Sequence, residues 1–246
     1  MSTTERELRF VDCTADSGVA TVTLNRSESR NAIAMVTRDE LNEASHWAVT
    51  STSVPVIVMT SASGYFSACG DMKSMNTDER LTADADRQCM GTFHIRISEL
   101  FESAKPLITA VDGCADGGSF GMALLADMGI ATSAARFCMS FMKVGLVPEC
   151  GALYTLVRSV DLYHAKELMF SAGEIDAQVG LDWTEGVSMK SPLMTCGLTR
   201  MRWHKKTCAR LGARLRLPST RRTSRSTDHL RPCWRSRPMR KASPCQ

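Results

Sequence analysis

Two glycine-rich stretches hold the residue types best able to do chemistry. Gly64-Tyr65-Phe66-Ser67-Ala68-Cys69-Gly70-Asp71-Met72-Lys73 follows the apolar run at 56–60. Asp112-Gly113-Cys114-Ala115-Asp116-Gly117-Gly118-Ser119-Phe120-Gly121 follows the run at 107–111 and leads directly into a helix. Small residues at the carboxyl end of a strand let main-chain N–H groups approach a ligand that a side chain would hold off. At the second stretch those groups also open a helix, where partial positive charge favours a developing anion. Two such donors aimed at one oxygen form an oxyanion hole; the plainer alternative is that both stretches only turn the chain. Neither ends in the Gly-Lys-Ser/Thr of a phosphate-binding P-loop.

Gly117-Gly118-Ser119-Phe120-Gly121 also fits G-x-S-x-G, the nucleophile elbow of serine hydrolases. An elbow places its Ser on the strand-to-helix turn itself, whereas five or more residues separate Ser119 from the strand ending at Val111. The acid and imidazole downstream, Asp161 and His164, fall on one helix instead of separate loops. Ser119 is therefore the minor alternative, against a small residue in the first turn of a helix.

The elements around these turns are α/β in grammar. Val19 to Leu24 alternates as a half-buried strand and runs into the polar turn Asn25 to Asn31. Thr37-Arg38-Asp39-Glu40 reads as a capping box, with Leu41, Ala44 and Ala48 continuing an apolar stripe. Pro55 to Met59 is a fully buried strand. Leu107 to Val111 is another, followed by a helix through Met122 to Ala126. Strands alternating with helices predict a largely parallel sheet.

Composition narrows the function. Of 246 residues, 43% are hydrophobic and 23% charged, which excludes a wholly disordered chain. No apolar run approaches the roughly 18 to 20 residues that cross a bilayer, and the N-terminus lacks a basic-then-apolar signal, so a cytoplasmic protein is expected. Ten cysteines are scattered without a CxxC pair, and five histidines show no HxxxH or HExxH spacing. Reduced thiols and no metal site are expected. The aromatics do not alternate with basic residues as a nucleic-acid stacking surface requires.

Four motifs, in order, give a specific resemblance. Leu24-Asn25-Arg26 with Arg30-Asn31-Ala32, Phe66 to Met72, Val111-Asp112-Gly113 through Gly117-Gly118 to Ala126-Asp127, and Val144 to Gly151 resemble the enoyl-CoA hydratase/isomerase (crotonase) superfamily. The resemblance runs from about residue 8 to about residue 177. It implies repeated ββα units of the ClpP/crotonase-like type, an acyl-CoA thioester substrate, assembly as homo-trimers or hexamers, and no cofactor beyond the coenzyme A of the substrate. By motif matching the oxyanion-hole amides fall on Gly70 and Gly118. Arg30, Ala32, Ala68, Asp71 and Met72 match stretches that line the CoA, with Gly117 and Phe141 beside them, and Lys73 falls near phosphate or is simply a solvated helix lysine.

The resemblance also separates two chemistries. The family's hydratases carry two Glu, at positions that here are Gly121 and Phe141, so paired-carboxylate hydration is not supported. Glu149 matches the acidic residue of the isomerase-type P-[DE]-x-G turn. One carboxylate suffices to shuttle a proton between C2 and C4, and enclosure by Phe141, Met142 and Leu146 would raise its pKa toward a useful value. The alternative is a Glu149 that caps the helix beginning near Gly151. Cys69 and Cys150 stand where the family mostly has Gly, and a Cβ there is costly if φ is positive. Cys114 and Cys138 read as small core residues. A catalytically impaired acyl-CoA binder remains the second functional expectation.

The formal charge of +4 hides an asymmetry. Residues 1–177 hold 14 Lys and Arg against 23 Asp and Glu, net −9, whereas 178–246 hold 16 against 3, net +13. The expected organisation is an acyl-CoA domain at 1–177 and an atypical, poorly ordered basic tail at 178–246. Its Arg, Pro, Ser, Cys and Trp enrichment without periodicity is what a shifted reading frame of a GC-rich gene yields. An authentic arm binding nucleic acid or acidic lipid is the alternative.

Overall fold

The computed structural model describes residues 4–77 and 83–183. Strand β1 (Thr4–Glu7), β2 (Val11–Asp16) and β3 (Val19–Leu24) pair antiparallel. β3, β4 (Val56–Ser61), β5 (Leu107–Val111) and β7 (Met128–Ala131) pair parallel, so the large sheet reads β1-β2-β3-β4-β5-β7. β4 is buried on both faces, as its unbroken apolar run requires. Ile57 and Met59 point into the main core with Val22, Leu24 and Leu107, while Val56 and Val58 join Val19, Ile108 and Ile130 on the opposite face.

A second layer repeats this order. After β3 the chain passes through the 3-10 turn Ser27–Ser29 and a single bridge residue, Ile33, into α1 (Met35–Thr50), and after β4 through Ser67 to Gly70 into α2 (Met72–Thr77). After β5 it passes through β6 (Cys114–Asp116) into α4 (Gly118–Ala123), which follows α3 (Ala83–Glu102) in the chain. After β7 it passes through β8 (Arg136–Cys138) and the 3-10 turn Ser140–Val144 into α5 (Ala152–Ser159). These short stretches pair with one another. Ile33 bridges Gly70, Ser67 bridges Ala115, β6 runs parallel to β8, and β9 (Glu174–Asp176) closes the set antiparallel to β8. The expected strand–strand–helix repeat is thus present as two layers with one strand order. α6 (Leu162–Ser171) and α7 (Ala177–Trp183) follow, so helix continues six residues past the expected boundary at 177. The basic tail lies outside the described residues from 184 onward.

Two local expectations are corrected. α1 starts at Met35, not at Thr37; Thr37 is buried and its hydroxyl has no partner among the described residues. Glu40, expected to close a capping box, instead accepts from Arg9 N at 3.2 Å and Phe10 N at 2.7 Å, because the β1–β2 turn supplies two orphan donors within reach. The helix expected at 122–126 begins earlier, at Gly118, and ends at Ala123. The Leu41, Ala44 and Ala48 stripe is buried as expected.

Side chains lock the 26–33 loop to the 63–71 segment. Asn31 is wholly buried at φ +54, a left-handed conformation that Asn tolerates better than most residues. Its Oδ1 accepts from Arg26 N at 2.7 Å, and its Nδ2 donates to Tyr65 O at 2.7 Å and Ser63 Oγ at 3.3 Å. Arg26 in turn donates to Ala32 O at 3.0 Å and to Asp71 Oδ2 at 2.6 Å, while Asp71 Oδ1 accepts from the N–H groups of Lys73 and Ser74 and so caps α2. Burial works to raise the Asp71 pKa, but the hydrogen bonds from Arg26 and the Ser74 amide, with the Arg26 charge, outweigh it and hold the carboxyl below its ordinary range.

Asn31→Ala leaves the Arg26 N–H and Tyr65 carbonyl without their partner and puts a less tolerant residue at positive φ. It is expected to lower unfolding free energy by about 2 to 4 kcal/mol, read from urea denaturation. Asp71→Asn is expected to destabilise the neutral protein by about 1 to 3 kcal/mol. Because the folded pKa is depressed, this contribution is complete above the unfolded carboxyl pKa of about 4 and fades as pH falls through the folded value. Denaturation midpoints of wild type and variant should therefore converge below about pH 4; a constant gap would contradict the assignment.

Candidate active site

Gly70 owes its exposed amide to the pairing around it. In a parallel bridge the residues flanking the paired one make the hydrogen bonds. Here Ile33 N donates to Cys69 O at 2.8 Å and Asp71 N to Ile33 O at 3.1 Å, so the N–H of Gly70 itself faces away from Ile33. It meets no acceptor among the described residues. On its other edge the same segment is held by β6, with Ser67 N donating to Cys114 O and Asp116 N to Ser67 O, each at 3.0 Å.

Gly118 arrives from the opposite side of this seam. Gly117, at φ +49, donates to Cys138 O at 2.8 Å and turns the chain so that Gly118 opens α4. The Gly118 N–H donates to Cys69 Sγ at 3.1 Å, so both expected oxyanion-hole residues meet around Cys69, one as its chain neighbour and one as its hydrogen-bond donor. Gly117 has both a positive φ and no room for a Cβ, and Gly118 is tightly bordered. A Cβ on Gly117 would lie 2.7 Å from Cys69 Sγ, and one on Gly118 3.1 Å from Cys150 Sγ, 3.6 Å from Cys69 Sγ and 3.8 Å from the Phe141 ring. Phe141 thus packs beside Gly118.

The two cysteines at glycine positions do occupy the costly conformation, Cys69 at φ +73 and Cys150 at φ +54. Each carries about 1 kcal/mol or more of backbone strain. Cys150 is buried, and burial first, then the neighbouring Cys69 and Glu149, push its thiol far up, so it stays protonated. Cys138 is a core thiol donating to Ala172 O at 3.2 Å, whereas Cys114 is only half-buried, beside Tyr65.

Other expected site residues fall less simply. Glu149 is exposed on the turn before α5, and of the enclosure expected for it only Phe141 is buried, with Met142 and Leu146 about half exposed. Its carboxylate does not cap α5 either; that helix has no side-chain cap, and the main-chain carbonyl of Glu149 accepts from Ala152 N at 3.0 Å. Gly121 is tightly enclosed: a Cβ there would lie 3.0 Å from Glu149 O and 3.1 Å from Cys150 Cβ. Ser119 is wholly buried, with its hydroxyl 2.7 Å from both Ser67 O and Asp116 O. Asp161 and His164 pair with each other at 2.6 Å at the start of α6, so no nucleophile–base contact of the hydrolase type forms.

Of the expected CoA-lining residues, Ala68 donates its N–H to Arg30 O at 3.0 Å, and Ala32 is buried beneath the same loop. Arg30 is exposed, its guanidinium 5.2 Å from the Tyr65 ring centroid; Met72 and Lys73 are exposed on the first turn of α2. The Asp71 side chain is turned to Arg26 and the α2 amides, and its role is to position the loop. The types of Arg26 and Asn31 do not by themselves reveal that they tie the loop together. Asp116 lies immediately before Gly117: burial first, then Glu174, raise its carboxyl against the pull of Lys143 and Arg30. Its only sequence signal is an acidic residue beside two glycines.

Among the described residues no helix is long and apolar enough to cross a membrane, and no three His, Cys, Asp or Glu are grouped to hold a metal ion. The enoyl-CoA hydratase/isomerase family profile matches residues 14–187. A trans-2-decenoyl-[acyl-carrier-protein] isomerase of Streptococcus mutans is 30% identical over 176 residues, covering 68% of this chain and 64% of that protein. A 2,3-dehydroadipyl-CoA hydratase of Escherichia coli is 32% identical over 164 residues, covering 65% and 61%. The matched stretch thus spans less than two thirds of these curated relatives. A Thermobifida fusca YX structure in complex with acetoacetyl-CoA superposes with a TM-score of 0.66 at 28% identity, covering 71% of each chain. With the two-layer α/β fold, the paired glycine turns and a profile match across most of its described length, the chain belongs to the enoyl-CoA hydratase/isomerase family.

Proposed function

We propose that the protein binds acyl-CoA thioesters and, of the family's two chemistries, isomerises an enoyl double bond. The observation that supports this reading is that the Gly118 N–H donates to Cys69 Sγ while the N–H of Gly70, the next residue after Cys69, is left over by the Ile33 bridge, so that two main-chain donors are available for one acyl oxygen. In this reading the Glu149 carboxylate takes a proton from C2 of a 3-enoyl thioester. The C–H electron pair moves into the thioester, and the resulting dienolate oxygen is held by the Gly70 and Gly118 N–H groups. The same carboxyl returns the proton to C4, giving the 2-enoyl thioester. Both amides are fixed by backbone pairing, so little reorganisation is needed as charge develops. Coenzyme A enters as part of the substrate, and no other cofactor is invoked.

Hydration is disfavoured because Gly121 and Phe141 carry no carboxylate and Gly121 has no room for a side chain without displacing Cys150 and Glu149 main chain. A second reading, an acyl-CoA binder with little turnover, is favoured by the solvent exposure of Glu149. A homo-trimer or hexamer is the assembly proposed with this family membership, in the cytoplasm.

The test is turnover of 3-enoyl-CoA and 2-enoyl-CoA by the full chain beside Glu149→Gln. Isomerisation by wild type that falls about 100-fold or more in the variant, with acetoacetyl-CoA binding retained, is expected. Hydration of 2-enoyl-CoA indifferent to the substitution would overturn the isomerase mechanism, and tight binding without turnover by either protein would establish the binder.

A further inference from the structure

Cys69 is the chain neighbour of one oxyanion-hole amide and the hydrogen-bond acceptor of the other. We propose that its thiol is a built-in occupant of the acyl-oxygen site, which a thioester carbonyl must displace; this rests on the acyl-CoA reading above. The sulfur accepts from Gly118 N–H at 3.1 Å, the donation a substrate oxygen would otherwise receive. It nests against Gly117 and Gly118, filling the space their missing side chains leave.

The main chain of Cys69 is held on both sides. Its carbonyl accepts from Ile33 N at 2.8 Å and its N–H donates to Ser67 Oγ at 3.2 Å, so the sulfur leaves the site by rotation about χ1 while the loop stays in place. The residue is also one the backbone does not favour. At φ +73 a glycine would fit without strain, yet the chain places there a Cβ and a sulfur that reach the Gly118 donor.

The exchange has a consequence for specificity. A thiol is a weak acceptor, a thioester carbonyl a better one, and an enolate oxygen better still because its hydrogen bonds are charge-assisted. Cys69 therefore screens ligands by the charge their acyl oxygen can carry. Thioesters that form a delocalised enolate, such as 3-oxoacyl and 3-enoyl chains, displace the thiol more readily than saturated acyl chains. Cys150, whose sulfur also borders the Cβ position of Gly118, is protonated and offers no anionic competitor.

Calorimetric titration of the full chain with CoA and with acetoacetyl-CoA tests this in wild type, Cys69→Ala and Cys69→Gly. Alanine keeps the Cβ and its strain and removes only the sulfur; glycine removes both, and stands in if the alanine protein does not fold. The ratio of acetoacetyl-CoA to CoA affinity is expected to rise about fivefold or more in both variants, with CoA affinity within about twofold of wild type. An unchanged or lower ratio, an equal gain for both ligands, or a gain in the glycine variant alone overturns the role of the thiol while leaving acyl-CoA binding intact. Failure of wild type and both variants to bind either ligand defeats the acyl-CoA reading and this inference together.

Discussion

Residues 67–70 are held as a middle strand, and the site depends on that pairing. One edge pairs with Ile33 and the other with β6. The geometry of parallel pairing then decides which groups are left over: the ladder takes the Cys69 carbonyl and the Asp71 amide and leaves the Gly70 amide unpaired. Because β6 runs directly into Gly117 and Gly118, the same seam fixes how far the second donor lies from the first. Both amides are main-chain groups set by this pairing, with the Ser119 hydroxyl bridging its two strands at Ser67 O and Asp116 O, which suits the proposed task of holding fixed dipoles against a developing charge. Three other side chains, Asn31, Arg26 and Asp71, act by fastening the loop before this strand to the loop that carries it.

The cysteines show how far such a framework tolerates substitution. The backbone at 69 and 150 keeps the left-handed conformation glycine prefers although both residues carry a Cβ. Hydrogen bonds on either side of position 69 outweigh the roughly 1 kcal/mol or more of strain, so the chain bends to the pairing and not to the residue. The consequence appears one layer out. Space that two glycines would leave open is filled by two sulfurs, one accepting from the Gly118 N–H and both bordering the Gly118 Cβ position. Strain at position 69 and occupancy of the donor therefore have the same cause.

Much of this was legible in the sequence because it is a property of main chain. Strands β3, β4 and β5 follow from uninterrupted or alternating apolar runs, and the glycine pairs marked the turns where amides could approach a ligand. The resemblance marked 69 and 150 as positions where a Cβ is costly if φ is positive, and φ is positive at both. What the sequence hid was long-range. Glu40 has the spacing of a capping residue, but its partners are Arg9 and Phe10, some thirty residues earlier. The long helix α3 shows its apolar stripe, Phe93, Ile97 and Leu100, only in its second half, behind a polar start. Asp71 reads from the sequence as a ligand-facing residue because it sits in a motif that resembles a CoA-lining loop; its side chain is instead taken up by Arg26, forty-five residues earlier.

The same distinction bears on the two halves of the proposed chemistry. The proposed oxyanion donors are main-chain groups held by pairing, so their placement does not hang on the side chain at position 69. Proton transfer depends on side chains, and Gly121 and Phe141 offer no carboxylate for it. At Gly121 a Cβ would press on Glu149 O and Cys150 Cβ, both within about 3 Å, and Phe141 packs toward Gly118. Restoring a carboxylate at 121 would therefore require moving the turn that carries Glu149, the one acidic residue left on that side. Packing at Gly121 and the position of Glu149 are in this sense coupled: a side chain at 121 presses on the main chain of the Glu149–Cys150 turn, so a change at one is felt at the other.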